Sequence, residues 1–164
     1  MSGRGWQEVG DRVYRMRYRS LDLNVGVVVG DDEVLVVDTR SFAAEAAELL
    51  ADLRRLTPLP CRQVVNTHAH FDHCFGNATL RPAAIWGHER CAAHLRSGAD
   101  RERAHLLRWL PEAAGELDGV VLDPPDRLVG DAGVVFGGDL VEEGAPPVYG
   151  GDAFPLEWPA TLDR

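Results

Sequence analysis

The chain has 164 residues, 45% hydrophobic and 26% charged, a globular composition that suits one domain over residues 1–164 and excludes general disorder. Its 17 basic residues, all arginine, stand against 26 acidic ones for a net charge of −9, so a nucleic-acid partner is not expected. No apolar run approaches the roughly 20 residues of a membrane span, residues 1–6 carry no apolar leader, and three cysteines without a Cys-x-x-Cys pair argue against a disulfide framework; a cytoplasmic chain with no membrane partner is expected.

Residues 12–18 interleave Val13, Tyr14, Met16 and Tyr18 with arginines, the alternation of a strand with one wet face. Arg12, Arg15, Arg17 and Arg19 read as that solvated face. Residues 24–29 form a valine-rich run closed by the turn signal Gly30-Asp31-Asp32, and residues 33–37 resume it, which predicts a hairpin with a buried second strand. Ser41 is placed to cap a helix in which Phe42, Ala46, Leu49, Leu50, Leu53 and Leu56 recur at helical spacing until Pro58 stops it. A short β-branched strand is expected over 62–65 and another over 81–86. Helices are expected over 88–95 and 100–110, and a last strand over 133–136 ends in Gly137-Gly138-Asp139. Strands first, then strands alternating with helices, predict an α/β fold with a mixed sheet and helices on one face.

The segment that carries chemistry is Thr67-His68-Ala69-His70-Phe71-Asp72-His73. In an extended backbone His68 and His70 point to the same side and can converge on one cation. A chain that curls after Phe71 turns Asp72 and His73 toward a second point nearby. Neutral imidazole and carboxylate are ligands for zinc, and also for iron or manganese. Three protonated histidines this close would repel one another, whereas a metal holds them neutral. His88, His94 and His105 lie in helical patterns and read as caps or surface residues. Cys61, Cys74 and Cys91 read as free thiols that behave as small hydrophobes.

The pattern His68-x-His70-x-Asp72-His73, preceded by Val-Val-Asn-Thr and followed by Gly76-Asn77, resembles that of the metallo-β-lactamase-fold hydrolases. Val36-Val37-Asp38-Thr39 is similar to that family's strand-ending aspartate before the first helix, and residues 134–140 are similar to the later strand that delivers a metal-bridging aspartate. The resemblance spans residues 13–158. It implies an αββα sandwich with a metal site at one edge of the sheets, usually holding two zinc ions. His68 and His70 would then bind the first metal, Asp72 and His73 the second, and Asp139 would bridge them. A hydroxide shared by the metals would attack a small-molecule substrate. Asp72 would serve also as the catalytic carboxylate that orients this hydroxide or takes its proton.

The sequence departs from that pattern in its second half. No histidine follows His105, so the third ligand of the first metal and the last histidine of the family have no counterpart. Residues 126–133 read as the start of one strand joined directly to the turn before another, an apparent deletion near Gly130, and the chain ends at Arg164 before a final strand. The expectation is a sandwich whose second half is incomplete, with sheet edges open to self-association. Three functions stay open: a zinc hydrolase, a catalytically impaired relative, and an iron-dependent oxygenase on the same fold.

Overall fold

The computed structural model describes residues 5–130. Within them seven strands form one sheet in chain order: β1 (Gln7–Gly10), β2 (Val13–Tyr18), β3 (Leu23–Val29), β4 (Val34–Val37), β5 (Cys61–Val65), β6 (Ala84–His88) and β7 (Arg127–Val129). The first four pair antiparallel, and β4 through β7 pair parallel. Helix α1 (Ala43–Leu56) connects β4 to β5, and α2 (Phe71–Cys74) lies between β5 and β6. Helices α3 (Glu89–Trp109) and α4 (Ala114–Leu117) precede β7. This is the mixed α/β sheet the sequence predicts. Among the described residues no helix is long and apolar enough to cross a membrane.

The alternation in β2 and β3 explains the first layer. Met16 and Tyr18 are buried beside Leu23, Val25 and Val27, while Arg15 and Arg17 face outward with Asn24. Leu49 and Leu53 of α1 close over Val25, Val27, Val34, Val36, Val64 and Ile85. Each such burial contributes about 1.5–3 kcal/mol relative to exposure. The hairpin between β3 and β4 closes where Gly30 N–H donates to Glu33 O at 2.9 Å. Arg12 bonds to the Gly30 carbonyl and pairs with Asp31 at 2.8 Å, and Arg17 pairs with Asp22, so the arginine stripe is the solvated face expected of it. A second cluster, including Phe42, Phe71, Phe75, Cys91, Leu95 and Leu106, joins α3 to the segment around α2. Gly87 sits two residues beyond Ile85, and a Cβ on it would lie 3.8 Å from Cys91 Sγ, which places α1 and α3 over the same face of the sheet.

Four boundaries differ from expectation. Strand β1 has one apolar residue and no buried one, so periodicity does not reveal it; it exists because β2 offers an edge to pair with. The strand expected over 81–86 begins only at Ala84, because Arg81 turns its guanidinium to Asp123 and Asp126 instead of joining the sheet. The two helices expected over 88–95 and 100–110 are one helix, α3, running through Gly98. The His94 ring lies 3.3 Å from where a Gly98 Cβ would stand, and His94 Nε2 is 3.0 Å from Glu102 Oε1, so the pair spans the weak point. Helix α1 takes Phe42, not Ser41, at its cap position, and Glu45 Oε2 accepts the Ser41 N–H at 3.2 Å instead. The strand expected over 133–136, Asp139 and the rest of 131–164 lie outside the described residues.

Candidate metal centre

The site forms where the parallel strands end, the position at which open α/β sheets place their ligands. β4 delivers Asp38, β5 delivers Asn66 and Thr67, and the loop after β5 carries His68 and His70 into α2, where Asp72 and His73 follow. His70 is extended (φ −67°, ψ 150°) and Phe71 starts the helix, so the chain curls where the sequence predicts.

The structure brings the three imidazoles together. The His68 ring centroid lies 4.4 Å from that of His70 and 4.1 Å from that of His73. Asp72 Oδ2 stands 3.4 Å from His73 Nε2. His68 thus stands between the other two rings. Asp139 lies outside the described residues.

A chain of hydrogen bonds orients these rings. Asp38 is 2% exposed at the end of β4, in a left-handed backbone conformation (φ 67°). Its Oδ1 accepts the Thr67 N–H at 2.8 Å, and its Oδ2 accepts the Thr67 hydroxyl at 2.8 Å and faces His73 Nδ1 at 2.8 Å. A carboxylate is an acceptor only, so His73 carries its proton on Nδ1 toward Asp38 and Thr67 spends its hydrogen on the same group. Thr67 Oγ1 then accepts from His68 Nδ1 at 3.0 Å. His73 and His68 are therefore Nδ1–H tautomers, with the lone pair on Nε2. It is the arrangement in which an outer carboxylate holds a metal-ligating histidine.

The donor chemistry fits a divalent cation such as zinc: imidazole nitrogens with their second nitrogens already bonded, and a carboxylate beside them. The ring positions fit less completely. Among the described residues no three histidine, cysteine, aspartate or glutamate side chains stand in a metal-holding arrangement. His68 Nε2 and His70 Nδ1 converge to 2.9 Å.

Around the rings the backbone is over-determined. The His73 carbonyl accepts from Thr39 N at 2.8 Å, Thr39 Oγ1 at 3.2 Å and Asn66 Nδ2 at 3.1 Å. Asn77 Nδ2 donates to Asn66 Oδ1 at 2.7 Å, and Asn77 Oδ1 accepts from Asn66 and Thr39. A Cβ at Gly76 would stand 2.0 Å from the Thr39 carbonyl oxygen, so only glycine lets α2 approach this close. Cys74 donates its thiol to the His70 carbonyl at 2.9 Å. Burial pushes that thiol well above its ordinary value, with Cys91, Asp38 and Asp72 adding to the effect, so it is held as the neutral donor. His88 caps α3 by accepting the Arg90 N–H at 3.1 Å, His105 stacks on Trp109, and His94 pairs with Glu102; His88 keeps the cap role expected of it, and His94 and His105 are both half-buried.

The metallo-beta-lactamase superfamily model matches residues 21–160 of the sequence. The chain belongs to that superfamily. Solved structures agree on the fold. The metallo-β-lactamase FIM-1 from Pseudomonas aeruginosa, in its mono-zinc form, matches at 17% identity with a TM-score of 0.53, over 76% of this chain and 49% of that one. A metallo-β-lactamase from Hirschia baltica matches at 18% identity and a TM-score of 0.50, over 76% and 51%. The sec-alkyl sulfatase PisA1, as a double mutant, matches at 23% identity and a TM-score of 0.55, over 65% and 18%. This superfamily member spans about half the length of the two lactamase chains it matches.

The resemblance takes in Asp38, Asn66, Thr67 and Asn77 by sequence but gives them no contacts; their hold on the imidazole segment is a property of the fold. Asp38 is signalled also by a carboxylate closing the apolar run Val34–Val37, since a charge buried at a strand end needs donors.

Proposed function

We propose that this metallo-β-lactamase superfamily member is a metal-dependent hydrolase of a small-molecule substrate, with zinc as the metal. His68, His70, Asp72 and His73 would hold it, with Asp139 contributing from the later segment. The observation that carries this reading is the Asp38–His73 contact at 2.8 Å within a cluster of three imidazoles. A bound zinc supplies Lewis acidity and lowers the pKa of a coordinated water toward about 7. The residues of this chain do the rest. Asp38 fixes the tautomer of His73, Thr67 relays the same carboxylate to His68, and Asp72, with Oδ2 3.4 Å from His73 Nε2, would take the proton of an attacking water.

One observation favours a second reading, a catalytically impaired relative: residues 106–164 hold no histidine to supply the third imidazole of the first metal. A panel of esters, thioesters, lactams and phosphodiesters, assayed with zinc and with excess chelator, decides between them. Chelator-sensitive turnover of one class that is lost in Asp72→Asn supports the hydrolase. No turnover of any class by a zinc-loaded chain supports the impaired relative. Iron, found as the native metal by elemental analysis, would instead point to oxygenase chemistry.

A further inference from the structure

Arg40 is 3% exposed, and its guanidinium bonds to α1 and lies over a ring of β2. Nη2 pairs with Glu45 Oε1 at 2.9 Å, Nη1 pairs with Glu48 Oε2 at 2.5 Å and also donates to the Glu45 carbonyl at 3.2 Å. The guanidinium carbon lies 3.8 Å from the centroid of the Tyr18 ring. The backbone of the same residue is left-handed (φ 70°), as is that of Asp38 (φ 67°), with Thr39 between them. Such conformations persist in non-glycine residues only where their surroundings over-determine them.

The main chain of this short segment faces the histidines. The Arg40 carbonyl accepts the Gly76 N–H at 2.9 Å, and the Thr39 N–H donates to the His73 carbonyl at 2.8 Å. The Asp38 side chain holds His73 Nδ1 at 2.8 Å. The side chain of Arg40 is thus locked on one layer while its carbonyl and its two predecessors lock α2.

We infer that Arg40 is a positioning residue of the metal centre: its clamp on Glu45, Glu48 and Tyr18 fixes the left-handed turn at 38–40 and through it the placement of His73. This rests on the reading of the imidazole cluster as a metal site. Without the clamp, residue 40 relaxes toward ordinary φ, its carbonyl rotates away from Gly76, and Asp38 and Thr39 lose their purchase on His73. A glycine at 40 removes the clamp and leaves the backbone free to leave the left-handed region, and a lysine keeps the charge without the two-pronged fork.

The test compares Arg40→Gln, Arg40→Gly and Arg40→Lys with Tyr18→Phe, which loses the 2.8 Å bond to Asp52 but keeps the ring beneath the guanidinium. Zinc affinity is measured by competition with a chromophoric chelator, amide hydrogen exchange at Thr39 and Gly76 by NMR, and fold by circular dichroism. The clamp predicts zinc binding about tenfold or more weaker in each Arg40 variant that folds. It also predicts faster exchange at Thr39 and Gly76 than at Val36 and Val64. Tyr18→Phe should lower the melting temperature and leave both readouts unchanged. Wild-type zinc affinity and unchanged exchange in a folded Arg40→Gln or Arg40→Gly chain would overturn the inference. If Arg40→Gln does not fold, Arg40→Lys carries the same comparison. A wild-type chain that takes up no zinc refutes the metal reading alone, and exchange at Thr39 and Gly76 still decides the clamp.

Discussion

Asp38 Oδ2 meets His73 Nδ1 at 2.8 Å although the two residues are 35 apart in sequence, and both are almost fully buried. One carboxylate thereby ties the end of β4 to the helix that carries the last residues of the metal motif. Asp38→Asn preserves the shape but puts an amide where an acceptor-only group stood. It should weaken zinc binding about 10- to 100-fold and destabilise the fold by about 1–3 kcal/mol, since Thr67 and His73 compete for fewer lone pairs. Chelator competition and urea unfolding read the two effects separately. Unaltered zinc affinity would mean that Asp38 does not orient His73.

Gly76→Ala should be among the most damaging substitutions of small size. The new methyl group would fall 2.0 Å from the Thr39 carbonyl oxygen and 2.9 Å from the Ala46 Cβ, both rigidly held. Backbone must move, at about 1–3 kcal/mol or more. A drop in urea midpoint with an unchanged slope is the expected signature.

The core makes a sharper contrast. Leu49 is fully buried between α1 and the sheet, so Leu49→Ala should cost about 2–5 kcal/mol. Trp109 is 74% exposed and stacks on His105, so Trp109→Ala should stay within about 0.5 kcal/mol of wild type. Equal losses for the two would contradict the burial pattern.

The hairpin of β3 and β4, helix α1 and the histidine motif are legible in the sequence because each obeys one local rule. Valines fill a buried strand, leucines repeat at helical spacing, and metal-ligand side chains cluster after a strand. What is not legible depends on partners far along the chain. β1 exists because β2 has an edge, and Arg81 leaves the expected strand because Asp123 and Asp126 lie 42 and 45 residues away. Gly98 reads as a helix break because the His94 ring that fills its place is invisible to propensity. Arg40 carries no signal in the sequence, and the fold supplies Glu45, Glu48 and Tyr18 around it.

Burial also sets how the protein responds to alkali. It pushes the Cys61 thiol up to about 11 and that of Cys91 to about 12, from an ordinary 9.0, and raises the Tyr18 phenol, with its bond to Asp52 adding to the effect. All three hold their protons more tightly folded than unfolded. Their contribution to stability is complete below pH 9 and is lost as pH rises through 9 toward 12. Thermal melts should therefore lose stability progressively above pH 9, and Cys61→Ser with Cys91→Ala should flatten that loss. At pH 8 only about a thousandth of Cys61 is thiolate, so its alkylation should be slow until the chain is unfolded.

The most direct test of the account is metal content by elemental analysis of the purified chain, wild type against the double variant His68→Ala/His70→Ala. The account predicts zinc in the wild type, no more than one tightly held ion per chain and removable by chelator, and none in the double variant. A double variant that folds and keeps the full metal content of the wild type would contradict it.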